Sequence, residues 1–401
     1  MNKILYIGDF DVSNENVQSS LVINNCLLLR KIGFEAILIS VNRRKTDWEV
    51  SKLNGPYGFE YYDLPYTFTI NGFVKQYSIK NKIALLINEL ICNNQIKYVF
   101  SYQSPSYASV FRGICLLLKK KGLIHIVNCA DITIFSGQKL FRRIVMDINW
   151  HFYHRYLKKY SNGLICVSEF IREYFNYPST KCLILPPLFD CNGLSNFAGF
   201  KNDRESETVF IYAGTPFVIN GKKARIRGMK DRLDKIVEIF LQAEKKECKF
   251  IFYIIGLEQN QYISSVPRHG PALLASEKIR FLGRLSHSAT LEKIRKADFT
   301  INFRDKNVMN NAGISTKMVE SISLGTPVVL NKIGEVERYL INKKNAFFLE
   351  ENDFDSNLDL INRLCNLTIE ERVNIKQNCF LENPFDYRLF VDYLNDFLQH
   401  L

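Results

Sequence analysis

Residues 313–331 read GISTKMVESISLGTPVVLN. Met318, Val319 and Ile322 can turn to one face of a helix of about three turns. Ser315 or Thr316 can cap its start by accepting a backbone N–H. Gly325 ends the pattern, Pro327 prevents its continuation, and VVLN then reads as an apolar strand. A capped helix, a tight turn and an apolar strand make one half of a β-α-β unit.

The same alternation extends in both directions. Toward the N-terminus, KILYIG, EAILISV, IKYVF, LIHIVNC, GLICV and CLIL read as strands, with helical patterns at 19–33, 105–121, 138–160 and 168–177. Residues 186–206 are rich in Pro, Gly, Asn and charge, and read as a linker. A second series follows with TVFIYAG, CKFIFYIIG, KIRFLG, DFTINF, TPVVL and NAFFL, and the chain from Phe354 onward reads as helical. The reading is therefore α/β: a Rossmann-like domain at 1–190, a second at 207–380, and a helix at 381–401 packing back toward the first. Parallel sheets of this kind hold ligands at the carboxyl ends of their strands, so a cleft between the facing strand ends is expected.

Composition narrows the function. With 53 Lys and Arg against 41 Asp and Glu, the net charge of +12 favours anionic partners. The basic residues come in short pairs and triplets such as Lys119-Lys120-Lys121, with no long basic tail, so nucleic acid is not expected as a partner. The ten cysteines form no CxxC pair, which fits a reducing cytoplasm better than a disulfide scaffold. No apolar run reaches the length of a spanning helix, and the N-terminus lacks a signal-peptide cleavage pattern. GxSxG, HExxH, GxxxxGK[ST] and GxGxxG are all missing.

Chemistry concentrates in the opening stretch. A helix N-terminus with free N–H groups is an anion site, and Lys317 adds a full charge there. Thr316, Lys317 and Glu320 can share one face, so a phosphate at the tip would leave an attached ribose near the Glu320 carboxylate. The alternative is a well-capped surface helix with a solvent-facing glutamate.

STKMVESISLGTPVV resembles the nucleotide-binding segment of retaining glycosyltransferases of the GT-B fold, in the family 4 group (glycosyl transferases group 1). IRFLGRLSHSATLEKIRKADFTINF, LICVSEFIREYF and LILPPLFD are similar to other segments of that family, in the same order, over about 160–350. The resemblance implies a GT-B fold of two Rossmann-like domains with C-terminal helices, a UDP- or GDP-sugar donor, and a glycan or lipid-linked acceptor. It implies that Glu320 binds the ribose and that Ser315, Thr316 and Lys317 lie at the diphosphate, with Gly313 and Gly214 in the same substrate-binding set. The family's Arg and Lys, five residues apart, match Arg225 and Lys230, although Lys222, Lys223 and Arg227 compete for the role. Two cations there would replace a divalent metal, so no metal or other cofactor is expected. Surface polysaccharide assembly at the cytoplasmic face of a membrane is the implied setting.

The sequence departs from the family pattern in two places. The acid eight residues before Glu320 is replaced by Ala312, leaving Asn310 or Asn311 as substitutes, and GDFDVSNENVQSS lacks the usual Gly-Gly pair. An inactive GT-B partner subunit and a GT-B sugar-nucleotide epimerase are the rival readings. For catalysis, Asp131 follows a strand where the family often places a His, Asp or Glu, and could orient an acceptor hydroxyl or take its proton. It could equally cap the next turn. His125 reads as a core histidine, and His151 and His154 lack the partners of a metal site. The basic, aromatic segment 138–160 reads either as a helix packed on the sheet or as one resting on an anionic membrane.

Overall fold

The computed structural model describes residues 1–13, 17–42, 50–65, 70–102, 116–132, 140–191, 207–216, 218–220, 223–225 and 231–401. They form two compact units, Met1–Asp190 with Tyr387–Leu401, and Cys191–Asp386. The chain's last segment thus belongs to the first unit.

The first unit holds an eight-stranded sheet: β1 (Asn2–Gly8), β2 (Phe34–Asn42), β3 (Ser51–Asn54), β4 (Glu60–Pro65), β5 (Tyr98–Tyr102), β6 (Ile124–Cys129), β7 (Gly163–Cys166) and β8 (Cys182–Ile184). Their order is β3-β4-β2-β1-β5-β6-β7-β8. All pairings are parallel except β3 with β4. Its helices include α1 (Val17–Lys31), α2 (Ile70–Asn94), α3 (Leu140–Tyr160) and α4 (Glu169–Tyr174). The β3–β4 hairpin and α2 were not read from sequence; Tyr61, Tyr62 and Asp63 interrupt the apolar pattern that marks the other strands. Helix α1 is buried almost all round, from Leu21 to Leu29, because the C-terminal helix packs against it as well as the sheet.

In the second unit a hairpin of β10 (Val218–Asn220) and β11 (Lys223–Arg225) stands apart from a six-stranded sheet. The sheet comprises β9 (Thr208–Ala213), β12 (Phe250–Ile255), β13 (Ile279–Gly283), β14 (Phe299–Asn302), β15 (Val328–Asn331) and β16 (Ala346–Leu349). It runs β13-β12-β9-β14-β15-β16 and is parallel throughout. Its helices include α5 (Leu233–Lys245), α6 (His287–Lys296), α7 (Val308–Ala312), α8 (Thr316–Ser323), α9 (Phe354–Cys365) and α10 (Ile369–Leu381). The C-terminal helix, α11 (Val391–Gln399), packs on α1.

Strands covered on both faces must be apolar throughout, which is why FIFYII and TVFIYA carry almost no polar residue. Helix α5 closes one face by burying Leu233, Ile236, Val237 and Phe240. Phe240 stacks on Phe252 with centroids 4.2 Å apart. Each such side chain contributes roughly 1.5–3 kcal/mol by burial. Strand order reverses between β1 and β5 in one sheet, and between β9 and β14 in the other. Such switch points are where α/β proteins bind ligands, outside the carboxyl ends of the strands.

Candidate functional site

The second switch point is lined by the ends of β9 and β14 and by the start of α8. Gly214 follows β9 with φ +155°, and a Cβ there would lie 2.1 Å from Lys317 Nζ. Only glycine lets the lysine cross this backbone. Gly256, after β12, has φ +113°, and its Cβ would meet the Gly214 carbonyl oxygen at 2.2 Å. Two strand ends therefore approach with no side chain between them.

Ser315 occupies the N-cap position of α8, but its side chain makes no capping bond. This corrects the capping expectation for that serine: its hydroxyl accepts from Arg304 Nη2 at 3.2 Å instead. Arg304 follows β14 and is fixed at its backbone by Asn331, which accepts from its N–H at 2.9 Å and donates to its carbonyl at 2.8 Å. Its Nε donates to Asp231 Oδ1 at 2.8 Å. Asp231 Oδ2 accepts from the Tyr212 hydroxyl at 2.9 Å and from Lys317 Nζ. Lys317 also lies 4.7 Å over the Tyr212 ring.

Two cations thus share one carboxylate whose side chain is 4% exposed. Burial works to raise the Asp231 carboxyl, yet Lys317 and Arg304 together hold it well below the usual carboxylate range. The neighbouring Arg232 grips Asp305 through Nη1 at 2.9 and 3.0 Å, and Asp234 through Nε and Nη2 at 2.9 and 2.8 Å. The loop before α5 is thereby tied to the loop after β14.

One turn into α8, Glu320 is 18% exposed, and its Oε1 lies 4.0 Å from Nε2 of His287 at the start of α6. Burial pushes its carboxyl up to about 7, against the opposite pull of Lys317. Gly313 ends α7, donating its N–H to the Met309 carbonyl at 3.3 Å. Ala312 is fully buried. Asn310 is 1% exposed and donates Nδ2 to the Asp305 carbonyl at 2.8 Å.

Gly214, Gly313, Ser315, Thr316, Lys317 and Glu320 therefore all belong to this one unit, in segments that converge on α8 or lead into it. Of Arg225 only the backbone is described, as the last residue of β11; Lys222, Arg227 and Lys230 lie outside the described residues. Sequence reasoning missed Tyr212, Asp231, Arg304 and His287. DRLD and FRD carry alternating charges that could have been paired, but nothing in their spacing shows which partners meet.

The first switch point differs. Gly8 pairs with Tyr102, and a Cβ on Gly8 would lie 2.6 Å from the Tyr102 Cβ. Asp9 and Asp11 follow β1, and both are buried. Asp11 accepts from Ser13 Oγ at 2.6 Å. Asp131 follows β6, is half-buried and accepts from the Ile132 N–H at 2.8 Å. Burial, with Asp131, Cys129 and Asp9 close by, pushes the Tyr102 phenol up.

His125 is buried, 2.8 Å from Ser101 Oγ, and burial pulls it down to about 4. His154 sits in an aromatic cluster 4.2 Å from Phe175. Among the described residues no three His, Cys, Asp or Glu side chains are grouped to hold a metal, and no helix is long and apolar enough to cross a membrane.

Residues 218–380 match the family Glycosyl transferases group 1. The matched residues all lie in the second unit. Solved structures agree on the fold. Sucrose-phosphate synthase from Thermosynechococcus elongatus superposes with a TM-score of 0.65 at 10% identity, over 100% of this chain and 98% of that one. HepE of Anabaena, solved in complex with UDP, gives 0.66 at 13% identity over 100% of both chains. The lipopolysaccharide outer core galactosyltransferase WaaB gives 0.61 at 12% identity over 99% of both. All are GT-B glycosyltransferases, so this α/β chain with its two Rossmann-like units has the GT-B fold. No curated protein matches the chain in sequence.

Proposed function

We propose that this chain transfers a sugar from a nucleotide-diphosphate sugar, UDP- or GDP-linked, to a glycan or lipid-linked acceptor. The observation that carries the reading is the pairing of Lys317 and Glu320 one turn apart on α8, opposite the bare backbone of Gly214. A diphosphate seated at the start of α8 meets backbone N–H groups and the Lys317 charge. The ribose then falls beside Glu320, whose carboxylate accepts two hydroxyl hydrogen bonds. The UDP of the HepE complex supports a uridine nucleotide as the first ligand to test.

Transfer proceeds with retention on this reading. Charge develops on the departing diphosphate, and fixed cations stabilise it without a divalent metal. A donor phosphate oxygen helps remove the acceptor proton, while Asp131 in the first unit orients the acceptor hydroxyl. Surface polysaccharide assembly at the cytoplasmic face of a membrane is the setting we favour. Ile144, Ile148 and Phe152, all exposed at i, i+4 and i+8 on α3, support contact with an anionic membrane surface.

Turnover across a panel of UDP- and GDP-sugars, with and without lipid-linked acceptors, tests the assignment. Transfer of one sugar is expected. Nucleotide binding without transfer to any acceptor would favour a second reading, an inactive GT-B partner subunit. Ala312 keeps that reading open, because its buried methyl group stands where the family carries an acid and Asn310 is itself buried. No nucleotide binding at all would sink the donor site.

A further inference from the structure

Asp231 has no part in the family resemblance, yet three side chains at the second switch point donate to it. It immediately follows Lys230 in sequence, and its carboxylate accepts from Arg304, Tyr212 and Lys317. The three donors come from three different segments: β9, the loop after β14, and the first turn of α8. We propose that Asp231 is a positioning residue for the donor diphosphate, clamping Lys317 across the Gly214 backbone so that its ammonium is a fixed cation at the start of α8. The inference rests on the donor-site reading above.

Geometry separates this role from simple charge balance. A lysine on a four-carbon stem loses side-chain entropy whenever it is immobilised. In this protein that cost is met on folding, because Asp231 fixes the ammonium before any ligand arrives. Gly214 is the second half of the device, since any side chain there would collide with the held Lys317. Arg304 occupies the other carboxylate oxygen and is 11% exposed, which leaves Lys317, at 29%, as the more accessible cation of the pair. The opposite expectation is also physical: a carboxylate beside a phosphate site repels the phosphate and competes for the lysine. The two differ in sign, so binding decides between them.

The test is calorimetric binding of UDP and GDP, with uridine and guanosine as references lacking the diphosphate, to the full chain. Asp231→Asn keeps the shape and removes the charge. It should lower the ratio of diphosphate to nucleoside affinity about tenfold, the scale of one charge-assisted hydrogen bond. Lys317→Ala should lower the ratio at least as far, and the double variant should fall no further than Lys317→Ala alone. Should Asp231→Asn not fold, Tyr212→Phe loosens the same carboxylate while keeping its charge, and should lower the ratio about threefold.

An unchanged ratio in Asp231→Asn, or in Tyr212→Phe if that variant must serve, while Lys317→Ala loses affinity would overturn the positioning role and leave the donor site standing. A raised ratio would make Asp231 a competitor and also overturn it. An unchanged ratio in Lys317→Ala would remove Lys317 from the diphosphate, and both readings of that residue would fall.

Discussion

At the ends of β9 and β14, two cations share one buried carboxylate; at the ends of β1, β5 and β6, carboxylates gather near a phenol. The frame is similar in both units, a largely parallel sheet whose strand order reverses beside a glycine in close contact with its neighbours. Charge is what differs. Lys317 and Arg304 against Asp231 leave an excess positive charge suited to a diphosphate. Asp9 and Asp131 place negative charge beside Tyr102, and on the proposed reading Asp131 serves the acceptor hydroxyl. A shared fold therefore provides two switch points, and the few side chains at each set what it can hold.

The comparison breaks most visibly if the acids of the first unit do no work. On the proposed assignment, Asp131→Asn should reduce kcat by about 10²-fold, the scale of a lost orienting contact to the acceptor hydroxyl. UDP affinity, set in the other unit, should stay within about twofold. Initial rates at saturating donor and acceptor check both halves, and a parallel loss of affinity would remove the division of labour.

Stability should divide the two units in the reverse sense. Asp231→Ala leaves Lys317 and Arg304 uncompensated and should cost about 3–5 kcal/mol in denaturant unfolding. Asp131→Ala, at a half-buried position, should cost about 1 kcal/mol or less. Because the Asp231 carboxyl is held below its ordinary value, its contribution is present above about pH 4 and is lost as the pH falls further.

Where the units agree, the effect should be similar. Gly256→Ala and Gly8→Ala each place a methyl group under 3 Å from neighbouring main-chain or Cβ atoms. Each should cost about 1–3 kcal/mol, with Gly256 the worse because its φ is positive. Thermal melts of the two variants give the ordering.

The smallest effect concerns pH. With the Glu320 carboxyl pushed up to about 7, uridine affinity should rise about tenfold from pH 6 to 8 as the carboxylate forms. His287 and Lys317 face the same group, so the slope must vanish in Glu320→Gln and persist in His287→Gln. Folding runs the other way. A raised carboxyl stabilises the fold below its unfolded value, and that contribution is lost as the pH rises toward 7.

Much of this was legible in the sequence. Apolar runs of strand length and capped helical patterns mark both sheets, since strands buried on both faces must be apolar. β4 and α2 escaped because their polar and aromatic residues break those patterns. Lys317 and Glu320 were legible as a pair because helical spacing fixes which residues share a face. Asp231, Arg304 and Tyr212 were not, because their meeting depends on three segments converging, and no local period records that. Ser315 or Thr316 could cap α8 by sequence, yet a buried arginine takes the Ser315 hydroxyl; there tertiary demand overrides a local preference.

The most direct test of the account is calorimetric titration of the full chain with UDP and GDP, before and after Glu320→Ala. One nucleotide should bind saturably, and the substitution should weaken it at least about tenfold while leaving the melting temperature nearly unchanged. Equal affinity in the two proteins, or no binding of either nucleotide, would contradict the donor site at α8.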